Sequence, residues 1–218
     1  MKRFLDRRDA GRQLALKLGK YSDRKDVILL ALPRGGVPVA YEVAAKIKAP
    51  LDVFIVRKLG LPGKEELAIG AIASGGTRIL NEDIVRALHI DRSTIDEITE
   101  RESLELQRRE RHYRGDRPAP EVRDCTVILV DDGLATGASM MAAVHALRTR
   151  QPAQLIIAVP VAAPQAIRLL QSNVDEAVYV IAPEFFEGVG KWYEDFSQTT
   201  DEEVQALLSN PKSELPGT

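Results

Sequence analysis

Asp131 and Asp132 stand side by side at the end of an apolar run, Val127-Ile128-Leu129-Val130, and lead into Gly133-Leu134-Ala135-Thr136-Gly137-Ala138-Ser139. The small residues from Ala135 to Ser139 read as a turn opening a helix, where backbone N–H groups and the hydroxyls of Thr136 and Ser139 can meet a phosphate. A helix dipole contributes about 0.3–2 kcal/mol to such binding and each hydrogen bond to a charged group about 1.5–3 kcal/mol, so the donors do most of the holding. Gly137 permits close approach of the backbone and a positive φ. Carboxylates accept hydrogen bonds and repel phosphate, so Asp131 and Asp132 suit a pair of neighbouring hydroxyls such as a ribose 2′,3′-diol. Phosphate and diol together describe a ribose phosphate. The plainer alternative is an acidic strand end and helix cap in some other doubly wound protein. A Walker phosphate loop is excluded, because the Gly-Lys-Ser/Thr ending is missing.

Leu32-Pro33-Arg34-Gly35-Gly36-Val37-Pro38 places one guanidinium beside two glycines, again between an apolar run and a helical pattern. Arg34 can chelate an oxyanion while Gly35 and Gly36 bring amides close. The same tripeptide also suits an ordinary turn. Arg57, Lys58 and Lys64 lie in a stretch broken by Gly60, Pro62 and Gly63. Near the far end, 183–198 concentrates Phe185, Phe186, Trp192, Tyr193 and Phe196 in a chain that is only 5% aromatic, which suits either a planar ligand or a small core.

The elements that must carry these groups alternate. Ala10, Leu14, Leu18 and Tyr21 recur at helical spacing behind Asp6 and Asp9. Continuous apolar runs at 27–32, 51–56, 125–130, 155–159 and 177–181 read as five buried strands, with helical patterns at 37–47, 140–148 and 164–170 between them. A long charged helix is expected over 91–114 with Ile95, Ile98, Leu106 and Tyr113 on its apolar stripe. This is the pattern of an α/β fold, a parallel sheet covered by helices on both faces, with ligands at the carboxyl ends of the strands. The stretch 57–80 reads as a flexible hairpin excursion, 1–210 as a single domain and 211–218 as a frayed tail.

A length of 218 residues supports a sizeable core without staples, and a net charge of −2 gives no global pull toward nucleic acid or anionic membrane. The basic patch Arg108, Arg109, Arg111 and Arg114 is interleaved with glutamates, which argues against RNA. Cys125 has no partner within the chain, and His89, His112 and His145 lack metal-ligand spacing, so no protein metal site is named. Without a signal-peptide pattern or an apolar span, the expected location is the cytoplasm.

The stretch 127–139 closely resembles the signature of type I phosphoribosyltransferases, an apolar strand, two acids and a Thr-Gly-x-Ser/Thr loop that bind phosphoribosyl pyrophosphate (PRPP). The resemblance implies that Asp131 and Asp132 hold the ribose hydroxyls and that Ala135, Thr136, Gly137, Ala138 and Ser139 bind the 5′-phosphate. It further implies that Arg34, Gly35 and Gly36 form the pyrophosphate loop, across a cis Pro33–Arg34 peptide. Arg57, Lys58 and Lys64 would belong to a flexible loop closing over PRPP, and 183–198 to a hood in which Phe186, then Phe185 or Trp192, stacks on an acceptor base. Catalysis would fall to Arg34, Asp131 and Asp132, with Mg²⁺ held by PRPP and water. Ala135 stands where the hypoxanthine-guanine enzymes carry an aspartate base, which weakens 6-oxopurine salvage and leaves the acceptor open. The expected activity is transfer of ribose 5-phosphate to a nitrogenous base with release of pyrophosphate, in a possible homodimer; the alternative is a PRPP- or nucleotide-sensing regulator.

Overall fold

The computed structural model describes residues 3–209, so the expectation for 211–218 lies outside the described residues. In chain order the first half runs α1 (Arg7–Lys17), β1 (Val27–Ala31), α2 (Gly36–Ile47), β2 (Leu51–Val53), β3 (Val56–Leu61), β4 (Lys64–Ala73), β5 (Thr77–Leu80), α3 (Glu82–Ala87) and α4 (Arg92–Arg114). The second half runs β6 (Thr126–Val130), α5 (Ala138–Arg148), β7 (Gln154–Val161), α6 (Pro164–Leu170), β8 (Glu176–Ile181) and α7 (Asp201–Ser209).

Five strands form one wholly parallel sheet in the order β2-β1-β6-β7-β8. Every residue of β1 and β6 is buried, which explains why these strands read as unbroken apolar runs rather than alternating ones. One face is covered by α1, α2, α4 and α7 around Leu29, Val43, Ile98 and Leu208. The other is covered by α5 and α6 around Leu129, Val144, Ile157 and Leu170. Caps set the helix starts: Asp6 accepts from Asp9 N at 2.7 Å and Asp91 from Thr94 N at 2.8 Å.

The run 51–56 is not one strand. Its first three residues pair with β1, and Phe54 still donates to Ala31 O at 2.9 Å, but Ile55 N then turns to Ser74 Oγ at 2.9 Å. From there β3 joins β4 and β5 in a separate antiparallel sheet of three strands, one more than a simple hairpin. Both environments bury the chain, so hydrophobicity alone does not mark the point of departure.

The basic patch on α4 is largely neutralised within the protein. Arg108 and Arg109 both bind Glu105, whose carboxyl they hold down at about 2. Arg114 turns inward, its Nε 2.9 Å from Asp52 Oδ2 and its Nη2 3.2 Å from Val53 O, joining α4 to β2 with both residues below 10% exposed. Removing one partner of such a pair strands the other charge. Arg114→Met should therefore cost about 3–5 kcal/mol in a urea titration. The double variant Arg114→Met/Asp52→Asn should lose clearly less than the sum of the two single losses.

Candidate functional site

β1 and β6 are neighbours in register, Ala31 beside Val130, so the loops leaving their carboxyl ends start together. Their helices, α2 and α5, cover opposite faces, which opens a crevice between the two loops at the point where strand order reverses. Leu32 N extends the pairing by donating to Val130 O at 2.8 Å. The chain then folds back over the acidic strand end, and glycine is what allows it. A Cβ on Gly35 would lie 2.0 Å from Asp132 Oδ2, and one on Gly36 would lie 2.7 Å from Val130 O and 3.0 Å from Asp131 Cα. The Pro33–Arg34 peptide is cis. Arg34 itself points away from the aspartates, its Nη1 3.8 Å from Asp201 Oδ1 on α7, while Asp201 also accepts from Tyr113 Oη at 2.5 Å. Burial, with the Asp201 hydrogen bond next, pushes the Tyr113 hydroxyl up to about 12.

Asp131 and Asp132 share the crevice floor with opposing influences on their charge. Burial raises both carboxyl groups above the ordinary aspartate range, Asp131 by the larger amount because the negative charge of its neighbour adds to the effect. Arg7 opposes the rise at both. Its Nε lies 2.8 Å from Asp132 Oδ2, with the side chains only 12% and 16% exposed. Asp131 Oδ1 accepts the Asp132 backbone N–H at 2.8 Å, and Tyr193 Oη donates to Asp132 O at 2.5 Å.

Beyond the carboxylates, Leu134 is pinned between β7 and the start of α6 through Leu134 N to Val161 O, 2.9 Å, and Ala163 N to Leu134 O, 2.7 Å. The next residues are released to the surface: Ala135, Thr136, Ala138 and Ser139 are exposed, while Gly137 is buried against Leu170 and Ala166 with φ of 80°. That left-handed glycine turns the chain into α5, whose N-terminus has no side-chain cap. Thr136 Oγ1 accepts from Ala138 N at 3.4 Å at the start of this 11-residue helix, where Ala138 and Ser139 are exposed.

The remaining candidates are dispersed. Arg57 on β3 is fixed to Glu102 of α4 at 2.5 Å. Lys58 and Lys64 are exposed on β3 and at the start of β4. In 183–198, Phe186 and Trp192 are partly buried against a small core of Phe4, Val161 and Tyr193, with a 3₁₀ turn at Val189–Trp192. Phe185 is 83% exposed. A pocket of about 340 Å³ is lined by Arg3, Phe185, Glu187, Lys191 and Trp192. The Trp192 indole N–H is buried with no hydrogen-bond partner among the described residues. Phe4 ties the start of the chain to this segment: its N donates to Trp192 O at 2.9 Å and its O accepts from Glu194 N at 2.8 Å.

Sequence reasoning passed over Arg7, Tyr193 and Asp201. Arg7 sits one residue after a recognisable cap, but nothing local separates it from Arg8, and its partner is 125 positions away. The tyrosine was visible only as one aromatic of a cluster.

Among the described residues no helix is long and apolar enough to cross a membrane. Residues 3–193 match the model of the phosphoribosyl transferase domain family. Two Mycobacterium tuberculosis proteins, provisionally named phosphoribosyl transferases, are 45% identical over 208 residues, covering 95% of this chain and 47% of theirs. The chain thus spans about half the length of these relatives. The crystal structure of TT1426 from Thermus thermophilus superposes with a TM-score of 0.83 at 42% identity, covering 94% of this chain and 97% of that one. AQ2163 from Aquifex aeolicus shares the fold at a TM-score of 0.51 and 10% identity, over 84% and 78% of the two chains. With its five-stranded parallel sheet and its acidic strand end beside a glycine loop, the chain belongs to the phosphoribosyl transferase domain family and has the fold of the type I phosphoribosyltransferases.

Proposed function

We propose that the protein transfers ribose 5-phosphate from PRPP to a nitrogenous base and releases pyrophosphate. The observation that supports this reading is the close approach of Gly35 and Gly36 to Asp132 and Asp131, which brings the loop after β1 against the two carboxylates that precede the uncapped start of α5. In this arrangement Asp131 and Asp132 orient the ribose, and the amides and hydroxyls of 135–139 anchor the 5′-phosphate. Arg34 exchanges its exposed contact with Asp201, worth about 0–1 kcal/mol, for the leaving pyrophosphate, whose developing charge it stabilises. The acceptor nitrogen forms its bond to the anomeric carbon as the carbon–oxygen bond to pyrophosphate breaks.

Two carboxylates at one strand end do not make a protein-only metal cage, and no group of three or more ligating side chains converges among the described residues. Such a surface fits Mg²⁺ brought on the substrate, since this ion keeps several waters and favours phosphate oxygens. When bound it neutralises charge on the diphosphate. In this reading Lys58 and Lys64, exposed on the second sheet, belong to a segment that closes over PRPP and excludes water. The acceptor is assigned to the pocket lined by Phe185 and Trp192, with Phe186 next to Phe185 in the chain. Ala135 offers no base at that position.

Calorimetric titration with PRPP and Mg²⁺, followed by purine and pyrimidine bases with pyrophosphate detection, tests the reading. Base-dependent release is the expected result; binding without release would leave a PRPP-sensing protein, and no binding would remove the proposal. Replacing Asp131 by Asn and Asp132 by Ala together should abolish measurable PRPP binding with the fold retained by circular dichroism. Thr136→Val should weaken it by about 1–3 kcal/mol through loss of one donor.

Asp131→Asn alone should also stabilise the protein. A carboxyl whose folded value is raised favours folding fully only below its unfolded value, near 3.8, and that contribution is lost as pH rises through the raised value. The variant should therefore gain about 0.5–2 kcal/mol at pH 8, with the gain vanishing toward pH 4, as read by thermal melting at both.

A further inference from the structure

Arg7 belongs to neither loop of the crevice, yet its guanidinium joins three parts of the chain. Nε donates to Asp132 Oδ2 at 2.8 Å, Nη1 donates to Ser197 O at 2.6 Å, and the central carbon lies 4.0 Å from the Phe196 ring centroid. A planar fork held on one face by an aromatic ring and at one end by a carbonyl has little freedom left, so the carboxylate it grips is held as well. With Asp132 Oδ2 taken by Arg7 and Asp131 Oδ1 by the Asp132 amide, one oxygen of each carboxylate is committed. Asp131 Oδ2 and Asp132 Oδ1 are then the two oxygens without a hydrogen-bond partner among the described residues.

We infer that Arg7 is a positioning residue for the ribose, a clamp that holds the Asp132 carboxylate in place and leaves one acceptor oxygen on each aspartate for the two hydroxyls of the sugar. The inference rests on the PRPP reading for its substrate and on this geometry for its mechanism. The charged and titratable groups around the pair are few. From α1 comes Arg7; from the hood comes the Tyr193 hydroxyl, which donates to the Asp132 main-chain oxygen rather than to the carboxylate. The loop after β1 presents Gly35 and Gly36, and Arg34 is turned to Asp201. Arg7 is thus the cation in contact with the pair among the described residues. Burial and mutual repulsion favour a bound proton on these carboxyls and Arg7 opposes it. A protonated acid has one acceptor fewer for the diol. Loss of Arg7 should therefore hurt most at low pH and be relieved as pH rises.

The test combines Arg7→Met and Arg7→Lys with the wild-type protein. PRPP affinity in the presence of Mg²⁺ is measured from pH 6 to 8.5. Arg7→Met should bind roughly tenfold or more weakly at pH 6, with the gap narrowing toward pH 8.5, one decade for each unit by which the carboxyl titration is displaced. Arg7→Lys should restore most of the loss. A deficit of equal size at every pH would mean that Arg7 only packs the fold, and would overturn the clamp. Carbon-13 NMR titration of the Asp131 and Asp132 carboxyls without PRPP gives an independent readout. Midpoints displaced upward in Arg7→Met support the clamp, and unmoved midpoints overturn it. If the wild-type protein failed to bind PRPP, the substrate reading would fall while this titration still decided the role of Arg7. Should Arg7→Met not fold, the wild-type Arg7 Nε–H resonance is decisive: it must titrate with the same midpoint as the carboxyls, and a resonance that does not follow them sinks the inference.

Discussion

Asp131 and Asp132 sit where burial and mutual repulsion both work against their charge, and much of the surrounding chain is arranged around that difficulty. The parallel sheet delivers them to its carboxyl edge because β6 is buried on both faces and must end where the polar residues begin. Two glycines let the neighbouring loop lie on them without a clash, and an arginine from the first helix supplies the compensating charge. Tyr193 closes the remaining side by bonding to the backbone between the carboxylates and the hood. None of these contacts is a strong stabiliser taken alone, since a buried ion pair returns little more than its own desolvation. Their effect is that the two carboxylates are held in one arrangement, so little ordering would remain for a group that meets them.

The parts of this arrangement that are local in sequence were legible in it. The run 127–139 carries strand, acids, small-residue turn and helix start within thirteen positions, each residue type having its own physical reason to be there. The charged helix and its Asp91 cap could be read the same way. α7 carried a signal that was overlooked: Thr200, with Glu203 three residues on, forms a capping pair ahead of Val204, Leu207 and Leu208, and the Thr200 hydroxyl accepts from Glu203 N at 3.1 Å. Other features had no local signature. The division of 51–56 between two sheets depends on Ser74, 19 residues away from the Ile55 amide it receives. Arg7 and Arg8 look alike in sequence, and only the return of the chain at Asp132 and Ser197 separates them. Spacing reveals which residues share a face; it does not reveal which distant strand end that face will meet.

The hood shows how one segment can answer to two demands. Tyr193 and the partly buried Trp192 build a small core with Phe4 and Val161, whereas Phe185 stays in solvent at the mouth of a pocket. The aromatics beyond the last strand therefore divide between a small core and an exposed pocket wall. Gly133 fits this closely as well, since a Cβ there would lie 2.4 Å from Val189 Cγ1.

The backbone pairing of Phe4 with Trp192 and Glu194 has a consequence for how the protein comes into being. A chain emerging from the ribosome has Asp131 and Asp132 available long before Tyr193 and Ser197 exist, and Arg7 has waited longer still for the carbonyl that fixes it. Contacts of such large sequence separation form late, after the loop-closure entropy of the whole domain has been met. The sheet can therefore be present in an unfinished chain while the contacts of Arg7 and Tyr193 with Asp132 are not, so a truncated or stalled product has both carboxylates at the strand end without the groups that fix them.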